Sequence, residues 1–135
     1  MRYSYELIQK SGTFCINLPT SYMVRLVDFC GVKSGRDLDK FSKLQLTPEP
    51  SLTVTCPSVA ECPITLECKV FEEKPLGSHT MFLADITTVT VDERIVGEDG
   101  KMRLEKANLL AYGHGTYYTL GKRIGTFGYS VKKKK

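Results

Sequence analysis

The 135-residue chain lacks most of the short motifs that reveal a function from sequence alone. It contains no Gly-x-Gly-x-x-Gly fingerprint and no Gly-x-x-x-x-Gly-Lys-Ser/Thr segment, which excludes the common phosphate loops of nucleotide-binding proteins. It has no Gly-x-Ser-x-Gly nucleophile elbow, so a hydrolase of that type is not expected. No run of about 18 apolar residues occurs, and the N-terminus lacks the apolar core of a signal peptide. The sequence therefore predicts no membrane partner.

Histidine and cysteine are too few and too scattered to form a recognisable metal or redox motif. The chain has two histidines and five cysteines, and no pair of cysteines shows Cys-x-x-Cys spacing. This pattern predicts reduced, mostly packed thiols in a cytoplasmic protein, with neither a metal site nor a catalytic thiol.

An excess of one charge is also missing from the body of the chain. The formal net charge of +4 comes from the lysines at positions 132–135, without which 15 cations face 15 anions. A basic surface for nucleic acid is therefore not predicted. We expect a single domain over residues 1–131, followed by a disordered, solvated lysine tail at 132–135. A tail that docks on nucleic acid is the less favoured alternative.

The sequence does contain an ordered series of short elements. Periodicity and capping signals predict helices over 3–10, with Ser4 as its cap, and over 20–30, with Thr20 as its cap, a further helical turn over 37–43, and strands over 13–18, 64–70, 81–91 and 109–112. In residues 64–70, apolar side chains alternate with Thr65, Glu67 and Lys69, which predicts one packed and one solvated face. Consecutive strands after early helices indicate an α+β fold with an antiparallel sheet or small barrel.

The loop in residues 28–41 is the strongest ligand site that the residues themselves indicate. It follows an apolar helix and carries three cations, Lys33, Arg36 and Lys40. Three cations on one loop suit a phosphate-bearing ligand. The loop also contains Asp37 and Asp39, and the loop taken alone favours a merely solvated segment of mixed charge over a ligand site.

The two histidines provide weaker candidates. His79 precedes an apolar strand, where a side chain can line the mouth of a cavity, although the residue taken alone favours a structural or exposed role. His114 lies between two glycines, and a structural or exposed role is favoured for it.

Six segments taken in order resemble the flavin reductase-like family, and within it the flavoredoxin branch. They are residues 2–8 (Arg-Tyr-Ser-Tyr-Glu-Leu-Ile), 12–19, 28–41, 64–70, 76–86 and 111–122. The most specific are the Cys-Gly-x-x-Ser-Gly-Arg-Asp loop of residues 30–37 and the Gly-Ser-His-x-Met-Phe turn of residues 77–82. The resemblance spans nearly the whole chain.

The resemblance implies a mostly antiparallel FMN-binding split barrel with a few packed short helices, usually a homodimer. Such proteins bind FMN without a covalent link and pass electrons from NAD(P)H or a partner redox protein. The positions that match the family's cofactor contacts are Arg2, Tyr3, Ser4, Arg36, Lys40, His79 and Tyr112. By this resemblance, Arg2 to Ser4 and Lys40, with Arg36 nearby, lie near the flavin phosphate, whereas His79 and Tyr112 lie near the flavin ring.

Family members normally carry further barrel strands before the segment that matches Arg2. The resemblance therefore implies a split barrel shortened at its N-terminus. Two functions follow from it: an FMN-dependent oxidoreductase or electron-transfer protein, and, as the alternative, a non-catalytic oligomerising module that has lost FMN.

Overall fold

A computed structural model describes residues 2–132 of the protein, which form an α+β fold with antiparallel sheets. The helices are α1 (Tyr3–Ser11), α2 (Val24–Val32) and α3 (Lys40–Leu44). The strands are β1 (Thr13–Leu18), β2 (Pro48–Glu49), β3 (Ser58–Val59), β4 (Ile64–Pro75), β5 (Thr80–Val91), β6 (Leu110–Gly113) and β7 (Thr116–Thr119). The predicted fold class is confirmed. Of the expected lysine tail, only Lys132 lies within the described residues.

The central sheet has the strand order β1-β4-β5, with both pairs antiparallel. β4 and β5 form a long hairpin that is bulged at two places. β2 and β3 make a two-residue ladder, and β6 and β7 form a separate hairpin with His114 at its tip in the left-handed region (φ 49°).

α1 follows the sequence signals within one residue, whereas α2 and α3 begin later than predicted, at Val24 and Lys40, and the caps also differ. The N-cap of α1 is Arg2, and Ser4 lies inside the helix, so its predicted capping role is wrong. Thr20 does occupy an N-cap position, but of a 3-10 turn (Ser21–Met23) that leads into α2, and its side chain makes no capping bond. Gly12 ends α1 in the left-handed conformation (φ 67°), which glycine adopts without strain.

The apolar core lies at one end of the central sheet. Ile64, at the start of β4, packs with Ile95 and Ala107, which come from the segments after β5. Leu18 and Val91 flank Ile64 in register on the neighbouring strands, so the three side chains share one face.

The opposite face of β4 is also covered, which contradicts the predicted alternation. Thr65 and Glu67 are buried, and of the three polar positions only Lys69 is exposed. The segment 51–56 lies over this face because the Glu67 carboxylate accepts the backbone N–H groups of Leu52 and Thr53, at 2.8 and 2.6 Å. Alternation reports which side chains point together, but it does not report whether a later loop covers them.

Among residues 2–132, the longest helices have nine residues, and none has the length and apolar character needed to cross a bilayer.

Candidate anion-binding groove

An open groove of about 860 Å³ runs between the start of α1, the end of α2 and the loop that leads into α3. Its walls come from three chain segments, residues 2–7, 30–35 and 38–41. The lining side chains include three cations, Arg2, Lys33 and Lys40, and the hydroxyls of Ser4 and Ser34. The groove therefore joins the first residues of the chain to the loop that the sequence indicates as a phosphate site.

The C-terminal end of α2 holds two of these cations in place. The last carbonyls of a helix have no partner inside the helix, and they form the negative end of its dipole. The Lys40 Nζ donates to the carbonyl of Cys30 at 2.6 Å, and the Arg2 guanidinium donates to the carbonyl of Gly31 at 3.2 Å. Both charges are thereby drawn to the same end of the same helix.

Each cation keeps donors for a further partner. An ammonium and a guanidinium carry several N–H donors, and one bond to a carbonyl uses only part of them. The only carboxylate in the lining of the groove is Asp39, which is already engaged as the N-cap of α3. It accepts the Phe41 N–H at 3.0 Å and the Ser42 hydroxyl at 2.6 Å. The Ser42 bond, although partly opposed by desolvation, lowers the pKa of Asp39, so this carboxylate stays ionised while it caps the helix. The groove has a surplus of positive charge.

Arg36 has a different role from Lys40, since its guanidinium is already paired. It forms an ion pair with Glu6 on α1 and lies 4.8 Å above the centre of the Tyr3 ring. The hydrogen bond with Glu6 raises the pKa of Arg36. At Gly35 a Cβ atom would meet the Tyr3 ring at 3.2 Å, so the loop lies close against that ring. Arg36 thus fastens the loop to α1 and is not among the side chains that line the groove.

His79 and Tyr112 lie outside the groove. His79 is exposed on the turn between β4 and β5, where its ring nitrogen bonds the Ser78 hydroxyl at 2.8 Å. Tyr112, on β6, is 66% exposed and its ring centre lies 5.0 Å from that of Tyr117. The structure therefore brings Arg2, Tyr3, Ser4 and Lys40 together and leaves these two residues elsewhere on the surface.

Two polar residues of the groove were not selected individually from the sequence. Lys33 was only one of three cations on a loop, and Ser34 carried no signal of its own. The next residue, Gly35, allows the chain to approach α1 closely, because a Cβ there would meet the Tyr3 ring.

A second cavity of about 390 Å³ lies between the 49–63 segment and the β4–β5 sheet. Its charged lining residues are all acidic: Glu49, Glu67, Asp92 and Glu93. A phosphate dianion would meet only repulsion there, so the cationic groove is the better candidate for a phosphate.

Comparison with known proteins assigns this fold to a family. The sequence profile of the flavin reductase like domain matches residues 1–121. The structure resembles flavoredoxin of Desulfovibrio vulgaris with a TM-score of 0.90 and 32% identity, over 97% of this chain and 71% of that one. It resembles flavoredoxin from Methanosarcina acetivorans with a TM-score of 0.83 and 30% identity, over 97% of this chain and 72% of the other.

The chain belongs to the flavin reductase-like family and has its split-barrel fold. An uncharacterised protein of Archaeoglobus fulgidus is 34% identical over 118 residues, which cover 87% of this chain and 66% of that protein. The curated relatives are longer, and the chain spans at most about two thirds of the length of those it matches.

Proposed function

We propose that this protein binds FMN, with the phosphate in the groove between α1 and α2, and acts as an oxidoreductase or electron-transfer protein of the flavoredoxin type. The observation that carries this proposal is the pair of cations, Arg2 and Lys40, held on the last carbonyls of α2 in a groove whose only carboxylate is already a helix cap. Membership of the flavin reductase-like family agrees with it.

The donor set fits a phosphate group. A phosphate dianion takes charge-assisted hydrogen bonds from guanidinium and ammonium groups, and hydroxyls complete its shell. Arg2 and Lys40 would supply the charge, Lys33 would add to it at the rim, and Ser4 and Ser34 are hydroxyl donors of the same lining. Tyr3 and Arg36 would hold the loop in the shape that presents these donors.

A bound flavin would supply the redox chemistry, and the protein would contribute binding and orientation. The cationic groove fixes one end of the ligand by its charge, which leaves the other end free to be positioned by different surfaces. We propose that His79 and Tyr112 belong to such surfaces, and that the electron donor is NAD(P)H or a partner redox protein. The five free cysteines agree with a proposed site of action in the cytoplasm.

The proposal is tested by comparing FMN with riboflavin, which lacks the phosphate. We expect the protein to bind FMN more tightly, and Lys40→Met to weaken FMN binding by about 1–3 kcal/mol, the usual loss for a charge-assisted hydrogen bond. Riboflavin binding should change little in this variant. Isothermal titration, or quenching of flavin fluorescence, measures both affinities.

Lys43→Met is the matched control, because Lys43 also lies on α3 but is exposed and does not line the groove. Its FMN affinity should equal that of the unaltered protein. Equal affinity for FMN and riboflavin would remove the phosphate from this groove. A protein that binds neither flavin would instead favour the alternative, a non-catalytic oligomerising module.

We also propose that the protein is a homodimer. Ile16, Ile86 and Val89 lie on one face of the central sheet and are 43, 56 and 52% exposed. Exposed apolar faces of this kind are typical of surfaces that pack against another polypeptide. Light scattering coupled to size-exclusion chromatography would measure the mass, and a monomer at micromolar concentration would contradict this proposal.

A further inference from the structure

Two thiols meet on the polar face of the central sheet, far from each other in sequence. Cys15 lies in β1, and Cys56 lies in the segment 51–56 that covers this face. Their Sγ atoms are 3.6 Å apart, and the Ser51 hydroxyl lies 3.3 Å from the Cys15 sulfur. Within residues 2–132, no other two sulfur atoms come within hydrogen-bonding distance of each other.

The geometry allows these sulfur atoms to bond without unfolding of the protein. A disulfide has an S–S distance of about 2.05 Å, so the two sulfurs must approach each other by only about 1.5 Å to bond. The covering segment is already fixed near β1, because the Glu67 carboxylate holds Leu52 and Thr53. The Ser51 hydroxyl also donates to the Cys56 carbonyl at 2.6 Å, which keeps Cys56 turned toward the sheet.

We propose that Cys15 and Cys56 form a reversible disulfide by exchange with a low-molecular-weight disulfide, and that this bond locks the 51–56 segment onto β1. One protein thiolate attacks the small disulfide, forming a mixed disulfide and releasing one small thiol. The second protein thiolate then attacks the protein sulfur of the mixed disulfide and releases the second small thiol. Two protein thiols are oxidised, one small disulfide is reduced to two thiols, and atoms and electrons balance.

The environment of Cys15 sets the pH dependence of this exchange. Burial, only partly offset by the bond with Ser51, raises the pKa of Cys15 to about 11. Either order of attack uses the Cys15 thiolate once, in the first step or in the second. Below that pKa, each unit of pH multiplies the thiolate fraction by about ten. The exchange should therefore be slow near neutral pH and faster in alkali.

Three polar groups face Cys15, of which the Ser51 hydroxyl lowers its pKa and the other two raise it. They are the hydroxyl of Ser51, the thiol of Cys56, and the carboxylate of Glu67 on the adjacent strand, whose negative charge also raises the Cys15 pKa. No cation of residues 2–132 is bonded to either sulfur to oppose that charge.

The test uses the full chain in its native state. The reduced protein is equilibrated with excess oxidised glutathione at pH 8.5, quenched with acid, and its mass is compared with that of the reduced form. We expect a mass lower by about 2 Da, the loss of two hydrogens that accompanies one disulfide. The midpoint of thermal unfolding should rise by several degrees, because the bond closes a long loop of chain.

Peptide mapping then shows which sulfurs are joined. Cleavage at Lys10 and Arg25 isolates Cys15, and cleavage at Glu61 and Glu67 separates Cys56 from the other two thiols of its region, Cys62 and Cys68. The cross-linked peptides should contain Cys15 and Cys56. Cys62→Ser is the matched control and should keep the cross-link. Cys15→Ser should leave a glutathione adduct in place of the disulfide.

Three results would overturn the proposal, and all can be read from the unaltered protein: stable glutathione adducts on Cys15 or Cys56 without a cross-link, an unchanged mass, or a disulfide that joins different cysteines. None of these measurements requires a bound flavin, so the result is independent of the proposed cofactor.

Discussion

The β1-β4-β5 sheet has a polar face that is covered by the protein's own chain and an apolar face that is half open. On the polar face, Cys15, Glu67 and Thr88 lie opposite one another in register. On the apolar face, Ile16, Leu66 and Val89 do the same. Glu67 in the centre of the first row is 2% exposed, whereas Val89 at the edge of the second is 52% exposed.

Hydrogen bonds to segment 51–56 cover the polar face of the sheet, whereas apolar side chains remain exposed on the other face. The polar face has a fixed partner, because a buried carboxylate is stable only when its lone pairs are satisfied, and segment 51–56 satisfies them. The apolar face is covered where Ile64, Ile95 and Ala107 pack, whereas Ile16, Ile86 and Val89 on it remain exposed. We propose that a second copy covers its open part.

The largest expected effect comes from placing a charge on the exposed part of the apolar face. Val89→Lys should convert the proposed dimer to a monomer, raising its dissociation constant at least about a hundredfold, because an unpaired buried ammonium costs several kcal/mol at an interface. Analytical ultracentrifugation at several concentrations measures this change.

Leu52→Lys is the matched control, since Leu52 is 74% exposed on the segment that covers the opposite face. It introduces the same charge on an apolar residue that is even more exposed than Val89 and should leave the association unchanged. If both variants dissociate, or neither does, the apolar face is not the contact surface.

A smaller effect is expected from weakening the hydrogen bonds that hold segment 51–56 on the polar face. Glu67→Gln keeps the shape of the side chain but removes its charge, and one of the two side-chain acceptor sites becomes a donor facing the N–H of Leu52 or Thr53. We expect the midpoint of thermal unfolding to fall by several degrees. Differential scanning calorimetry measures this, and Glu72→Gln is the control, because Glu72 is exposed on the same strand. Equal midpoints in the two variants would show that segment 51–56 is held by other contacts.

The same comparison shows how far sequence reasoning extends. β1 was predicted at its observed bounds, because Gly12 and Pro19 punctuate a β-branched, aromatic run. α1 was predicted within one residue of its end. Lys40 was indicated by the cationic loop itself and Arg2 to Ser4 by the family resemblance, and the structure places them side by side although they are far apart in sequence.

What the sequence did not predict depends on contacts between distant segments. The burial of Glu67 follows from a loop that folds back across β4, and no local pattern of residues 51–56 reports this. The pairing of Arg36 with Glu6 likewise removes a cation from the predicted site, because only the fold shows that α1 passes beside the loop. A periodic pattern fixes the direction of side chains, and tertiary contacts decide which of them remain free.

The smallest expected effect is a pH dependence of the stability that Glu67 contributes on the polar face. Burial raises the pKa of Glu67, but hydrogen bonds from Leu52 and Thr53 outweigh it, and the net pKa lies below the ordinary value of 4.5. A depressed pKa in the folded state means that the carboxylate stabilises the protein fully above its unfolded pKa, and that this contribution is lost as pH falls through the folded value. The difference in unfolding midpoint between the unaltered protein and Glu67→Gln should therefore be largest above about pH 5 and shrink in more acidic buffer.

Taking the difference cancels the effect of the other titrating carboxylates, such as Asp92, whose pKa is lowered to about 2 by its bonds with Arg94. A difference that stays constant down to pH 3 would mean that the charge of Glu67 contributes nothing to holding segment 51–56 on the sheet.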